Sequence, residues 1–317
     1  MQQHGLLLVD KPPGCTSHDV VATARKILRQ KKIGHCGTLD PDATGLLLLT
    51  VGRATRLTRF LIRAPKVYEG TARLGLATDT YDLSGEVTAT GSAGGVTAAA
   101  VDLAMESFVG SYLQTPPPYC AKKVGGVKFY EMARRGEKVP ETKKEVTVYE
   151  YRRTGELVPA GGGEERDLPF RLGCSSGTYA RSLVHELGEK LGCGGALAAL
   201  CRTQVGPFRL ADAVSPAALA ERLAAAGAER EAGDAELGTA WVPFDDIQLP
   251  FGEIALDSQQ ERRILNGQTV LIRDLESREG DWLKVTNQRR QFIAVGAVVE
   301  RIGSGGVGVV QPKVVFH

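Results

Sequence analysis

A run rich in Ala, Glu and Arg, PAALAERLAAAGAEREAGDAELG from Pro216 to Gly238, divides the 317-residue chain into two stretches of different character. Such residues favour helix, but the second half of the run offers almost nothing large and apolar to bury. We read it as a helix followed by a flexible link. Before it, strand and helix patterns alternate; after Trp241-Val242-Pro243 the pattern becomes short strands with turn signals, at 269–272, 282–286, 292–299 and 306–311. The chain is therefore expected to form two domains, 1–240 (with 216–240 as helix and linker) and a small β-rich unit at 241–317.

The first stretch opens with GLLLV (5–9), which reads as a short buried strand ending at the rigid turn DKPPG. Thr16 or Ser17 can cap a helix over about 17–30, with Val20, Val21, Ala24, Ile27 and Leu28 on one face. Arg25, Arg29 and Lys32 fall on another face as a basic stripe. A second helix, about 54–63, repeats the device with Leu57, Phe60 and Leu61 inward and Arg56, Arg59 and Arg63 on another side. Residues 1–73 hold twelve Lys and Arg against five Asp and Glu, a net +7, while the other 244 residues hold 27 against 32, a net −5. The formal total of +2 conceals this split. A basic block in a near-neutral chain suggests a surface for a polyanion; a merely solvated charged face is the alternative. Farther along, strands are expected at 66–76, 86–90, 144–152 and 170–174, and helices at 97–108 and 181–191.

Several function classes fall away. No apolar run approaches the roughly 20 residues of a membrane span, and MQQHGLLLVDKPPG has neither the basic nor the long apolar region of a signal peptide. A soluble, cytoplasmic protein is expected. Six cysteines without a CxxC pair and five histidines without an HExxH array argue against a metal site or a disulfide framework. Phosphate-binding and dinucleotide-binding glycine loops are lacking, so chemistry is expected from ordinary side chains, without metal or cofactor.

The densest segment is GHCGTLDPDATG (34–45), bracketed by the two basic helices. Three glycines and a proline make it a constrained loop, and Pro41 holds Asp40 in extended backbone. Asp40 is then either a cap of the Asp-Pro turn or a fixed, reactive carboxylate. His35 is a loop histidine open to the same two readings. A second cluster, CSSGTYAR (174–181), lies at a strand-to-helix junction. It places Arg181 where the helix dipole disfavours a cation, so a carboxylate such as Asp40 is a candidate partner. The third, QTPPPYCAKK (114–123) continuing through Tyr130 and Arg134, combines a rigid turn with aromatic and basic groups.

At these residues the sequence resembles bacterial TruB-type tRNA pseudouridine synthases. The matching segments run in order: DKPPGCTS (10–17), GHCGTLDPDATGLLLL (34–49), KVYEG (66–70), ATDTYDLSG (77–85), QTPPPYCAKKVGG with YEMARRG (114–136), SSGTYARSLVHELGEKLGCG (175–194) and LCRTQVGPF (200–208). The tail resembles the small PUA-type RNA-binding module only through NGQ (266–268) and QPKVVF (311–316). The resemblance implies an α+β fold, a mixed, largely antiparallel sheet flanked by helices with the active cleft crossing it. It implies Asp40 as catalytic aspartate, Tyr68 as the tyrosine packed on the target base, Arg181 as the arginine paired with the aspartate and Tyr179 as a second active-site tyrosine. Leu200 would line the pocket, and His35 would fill the gap left by a flipped nucleotide. Lys11 is a structural or RNA-contact candidate. Cys36 and Cys120 stand where Thr and Ser are commoner in the family.

The activity so implied is isomerisation of uridine 55 in the tRNA T-arm, by base flipping and without cofactor. The T-stem-loop of tRNA is the expected partner, contacted by His35, Lys11 and the basic residues 25, 29, 32, 56 and 59; no obligate protein partner is expected, and the chain is expected to be a monomer. Two other readings stay open at this point. One is an RNA-binding tRNA chaperone without essential catalysis; the other is the catalytic subunit of a guide-dependent complex.

Overall fold

The computed structural model describes residues 3–119, 123–124, 127–128, 143–161, 163–225, 237–303 and 306–317. Cys120, Tyr130, Arg134 and residues 226–236 of the expected link lie outside the described residues.

Two apolar runs found the sheet. Gly5–Lys11 (β1) and Thr44–Val51 (β2) pair antiparallel, with Leu6 opposite Thr50 and Leu8 opposite Leu48. Successive side chains of a strand point to opposite faces, so an unbroken apolar run needs cover on both. Leu7, Val9, Leu47 and Leu49 pack with Val20, Val21 and Ala24 of helix α1 (Ser17–Ile27) on one face. Leu6, Leu8, Leu46 and Leu48 pack with Leu57, Phe60 and Leu61 on the other. Continuing the sheet are β3 (Lys66–Leu74), β4 (Gly110–Gln114), β5 (Lys144–Arg153), β6 (Arg166–Cys174), β7 (Gly195–Val205) and β8 (Trp241–Pro243). In space the order is β8-β1-β2-β7-β3-β6-β5-β4. Every neighbouring pair is antiparallel except β2 with β7, so the fold is α+β with a mixed, largely antiparallel sheet. Over its far half, Leu74, Leu168, Phe170 and Leu172 meet Val101 and Met105 of α2 (Ala98–Glu106) and Leu183, Val184 and Leu187 of α3 (Ala180–Lys190). Helix α4 (Pro216–Ala225) buries Leu219 beside α1.

Three features depart from expectation. Helix α1 stops at Ile27, because Leu28 caps it and Arg29 turns into left-handed backbone at φ 48°. The stretch expected as a helix over 54–63 is a 3-10 turn over Gly52–Leu57 followed by one α turn, Thr58–Leu61, although Leu57, Phe60 and Leu61 do face inward. The large sheet also extends past residue 240, since β8 pairs with β1 through Gly5 opposite Pro243.

The C-terminal unit contains β9 (Glu253–Leu256), helix α5 (Ser258–Leu265), β10 (Val270–Ile272), β11 (Trp282–Asn287), β12 (Phe292–Ile302) and β13 (Val307–Val315), with strand order β9-β11-β12-β13-β10. It has its own core around Leu256, Ile264, Leu283, Val285 and Val298. It is not detached, because Phe244, Phe292, Val295, Val314 and Phe316 join Leu6 and Leu57 in one apolar cluster.

Candidate active site

The loop between Ile33–His35 and β2 is held from beneath by buried polar groups. Lys11, at the end of β1 and fully buried, donates from Nζ to the carbonyls of Pro12 (2.9 Å), Pro41 (2.8 Å) and Ala43 (2.7 Å). Burial lowers its ammonium below the usual lysine range. Ser17, the first residue of α1, bonds both backbone groups of Leu39 through Oγ. Gly45, at φ 95°, passes so close to Arg202 that a Cβ would lie 2.5 Å from its carbonyl oxygen; only glycine fits there. Asp40 caps no helix. Its backbone carbonyl closes the turn to the Ala43 amide, and its carboxylate projects away, half exposed.

Arg181 enters from the first turn of α3. Its buried guanidinium reaches the Asp40 carboxylate at 3.0 Å (Nε) and 3.3 Å (Nη2) and also meets Asp82 at 3.3 Å, the Thr80 carbonyl at 3.0 Å and the Tyr119 carbonyl at 3.0 Å. Two carboxylates and two carbonyls offset the helix-end position that electrostatics disfavours. The Asp40–Arg181 pair sits at a cavity of about 680 Å³ that is also lined by Tyr68, Tyr179 and Leu200. A cavity of that size accommodates a nucleotide. Tyr68 projects from β3 and Leu200 from β7, and Tyr179 is the N-cap residue of α3. Burial pushes the Tyr68 phenol up, opposed in part by the Arg202 charge.

Two cations in the cavity wall escape sequence reasoning. Arg202 is fully buried on β7 and donates to the carbonyls of Leu46 (2.7 Å) and Gly37 (3.1 Å). Lys66, at the start of β3, donates to the carbonyls of Ile62 and Ala64. Neither has a carboxylate within ion-pair distance among the described residues. Burial, reinforced by the Arg202 charge, pulls the Lys66 ammonium down to about 8. The only local signal for either is a basic residue inside a strand pattern. Asp82, likewise, sits in a turn segment with no local mark of its partner.

Residues 25–180 match the family described as TruB family pseudouridylate synthase, N-terminal domain. Residues 181–247 match the tRNA pseudouridylate synthase B C-terminal domain, and residues 252–316 match the pseudouridine synthase II TruB C-terminal region. A relative from Solibacter usitatus named tRNA pseudouridine synthase B is 38% identical over 93% of this chain and 96% of its own length. This chain belongs to the TruB family. A relative of the same name from Opitutus terrae is 46% identical over 67% of this chain and 85% of its own. Among solved structures, one described as a Cbf5-Nop10-Gar1 complex is similar with a TM-score of 0.74 at 25% identity, over 98% of this chain and 85% of that one.

Of the residues expected to meet RNA on this TruB-family chain, Lys11 is buried and Arg25, Arg29, Lys32, Arg56 and Arg59 are exposed. His35 does not line the cavity; its ring packs edge-on against His18 at 5.3 Å, and burial lowers its imidazole below the ordinary value. Lys11 is fully buried and cannot touch RNA. Arg25 is exposed but donates to the Ile33 carbonyl at 2.8 Å. With α1 ending at Ile27, Arg29 and Lys32 are exposed loop residues and not part of a helical stripe. Arg56 and Arg59 are exposed and also contact the C-terminal unit. Arg56 donates to the Val315 carbonyl and stacks over Phe316, and Arg59 lies over Phe60 and Trp282.

Proposed function

We propose that this protein isomerises uridine 55 in the T-arm of tRNA to pseudouridine, with Asp40 as the catalytic group and no partner chain. The observation that carries this reading is the Asp40 carboxylate, paired with Arg181, at the mouth of a cavity walled by Tyr68. In the reaction N1–C1′ breaks, the base turns, C5–C1′ forms, and the C5 proton is exchanged for one on N1. A base stacked inside folded RNA cannot turn, so it is flipped into the cavity at a cost of a few kcal/mol. Stacking on a flat ring such as Tyr68 returns about 1–3 kcal/mol per base. Its raised phenol keeps that ring neutral, which suits stacking better than proton removal. Arg181 aims the Asp40 carboxylate, which can add to C6, attack C1′, or act as a base on a glycal-like intermediate. Exposed Arg29 and Lys32, together with the PUA-like C-terminal unit, supply phosphate attraction outside the cavity.

The test is pseudouridine formation on an unmodified tRNA transcript by the wild-type protein and Asp40→Asn. We expect product from the first and none from the second, with tRNA binding retained in both. Product from Asp40→Asn at the wild-type rate removes the catalytic assignment. Binding without product from either protein supports an RNA chaperone instead.

A further inference from the structure

We infer that Gln114 is a positioning residue for the reaction, setting Tyr179 and Arg181 in place from a neighbouring strand. This inference rests on the proposed function and deepens it. Tyr179 is the N-cap of α3 and makes no side-chain capping hydrogen bond of its own, whereas most helices begin on Ser, Thr, Asp or Asn. Gln114, the last residue of β4, is 1% exposed. Its carboxamide reads both backbone groups of Tyr179. Oε1 accepts from the Tyr179 amide at 2.8 Å, and Nε2 donates to the Tyr179 carbonyl at 3.1 Å. The second amide hydrogen goes to the Tyr112 hydroxyl at 2.9 Å.

This pairing is that of a peptide group in an antiparallel ladder, supplied by a side chain. Tyr179 has extended backbone, φ −101° and ψ 109°, as such pairing requires. The same Tyr179 carbonyl accepts the Leu183 amide and so opens the hydrogen-bond ladder of α3. Gln114 therefore fixes the residue at which the chain turns from cavity wall into helix. Two further bonds follow along the first turn: Ser182 Oγ donates to the Thr115 carbonyl at 2.8 Å, and Arg181 donates to the Tyr119 carbonyl at 3.0 Å. Residues 114–119 are thus sewn to residues 179, 181 and 182. Without the amide, the first turn of α3 can rotate, moving the Tyr179 ring and the Arg181 guanidinium together. A displacement of about 1 Å in such groups lowers turnover by up to about a hundredfold.

The decisive variants are Gln114→Ala and Gln114→Glu, assayed for kcat, KM and tRNA Kd from pH 6 to 8. Gln114→Ala should lower kcat roughly tenfold or more while Kd changes little. Ionised, Gln114→Glu keeps an acceptor for the Tyr179 amide but faces the Tyr179 carbonyl with a second oxygen. Once protonated, it again offers one donor and one acceptor. Its kcat, taken relative to wild type, should therefore recover as the pH falls, and that of Gln114→Ala should not. The charged and titratable groups packed around position 114 are Tyr112, Lys144 across from it on β5, and Arg181 and Glu186 on α3. They titrate in all three proteins, and Gln114→Ala, which lacks the new carboxylate, reports their share of any pH dependence. Wild-type kcat in Gln114→Ala, or losses in both variants that track only the folded fraction by circular dichroism at every pH, overturn the inference. If Gln114→Ala does not fold, the isosteric Gln114→Glu carries the test alone. An inactive wild type refutes the proposed function on which this inference rests, whereas an active wild type with unchanged variants refutes this inference alone.

Discussion

A buried ammonium with only carbonyl partners is costly to keep charged, and Lys66 shows the consequence. Its folded value of about 8 lies below the ordinary 10.5. Between those values the unfolded chain binds more protons than the folded one, so this residue makes stability rise with pH from about 8 to about 10.5; below about 8 its contribution is flat. Lys66→Met should remove that component, which the difference in Tm between wild type and variant, followed from pH 7 to 10, will reveal. A constant difference across this range argues that the ammonium is solvated. Lys11 and Arg202 belong to the same class, cations placed under the Asp40 loop to hold its carbonyls. Sequence reading made Asp40 and Arg181 candidates from loop chemistry and helix position, and motif resemblance gave them roles and added Tyr68. It had no means of seeing Arg202 or Asp82, whose partners lie 165 and 99 positions away at Gly37 and Arg181.

Among the elements, α1 is the best specified by local sequence. Thr16 and Asp19 form a reciprocal cap, with the Asp19 amide donating to Thr16 Oγ1 at 3.1 Å and the Thr16 amide donating to the Asp19 carboxylate at 2.9 Å. The next residue, Ser17, clasps Leu39 beside Asp40, so the cap also anchors the reactive loop. Thr16→Ala should cost about 1 kcal/mol in urea unfolding. A loss below about 0.3 kcal/mol indicates a helix start held by Ser17 and packing alone. The far end of α1 was less legible, because the charges at Arg25, Arg29 and Lys32 fit a helical repeat that the left-handed backbone of Arg29 breaks. Helical spacing at 54–63 placed Leu57, Phe60 and Leu61 correctly inward while overstating the length of helix, since the 3-10 and α periods differ little over two turns.

Over the whole molecule, the large sheet and the C-terminal unit share a core, and the arginines of Gly52–Leu61 close its edge. Arg53 donates to the His317 carbonyl and lies over Phe244, while Arg56 and Arg59 stack on Phe316 and Trp282. Cation–π contacts at partly exposed sites contribute about 0.5–1 kcal/mol each. The double variant Arg56→Glu/Arg59→Glu should therefore lose about 1–2 kcal/mol and make the C-terminal unit more sensitive to limited proteolysis. Its tRNA affinity should keep a nearly wild-type salt slope, whereas Lys32→Glu should flatten that slope. A flattened slope in the double variant, with unchanged protease resistance, puts these arginines on RNA and not on the interface.

By itself the sequence determined what depends on near neighbours: the apolar runs of β1 and β2, the cap of α1, the constrained Asp-Pro loop and the concentration of positive charge before residue 73. Family resemblance added the candidates Tyr68, Tyr179 and Leu200 and chose the reactive reading of Asp40 and its pairing with Arg181. Tertiary structure alone decided which charges are free. Arg56 and Arg59 stay exposed but rest on partners more than two hundred residues away, and Lys11 reads as a surface cation until the Asp40 loop folds over it. Local pattern records how a side chain is spaced along its own element. Its ionic environment is set by whatever the fold brings opposite, and here that draws Lys11 and Lys66 into the interior while most of the basic block stays at the surface.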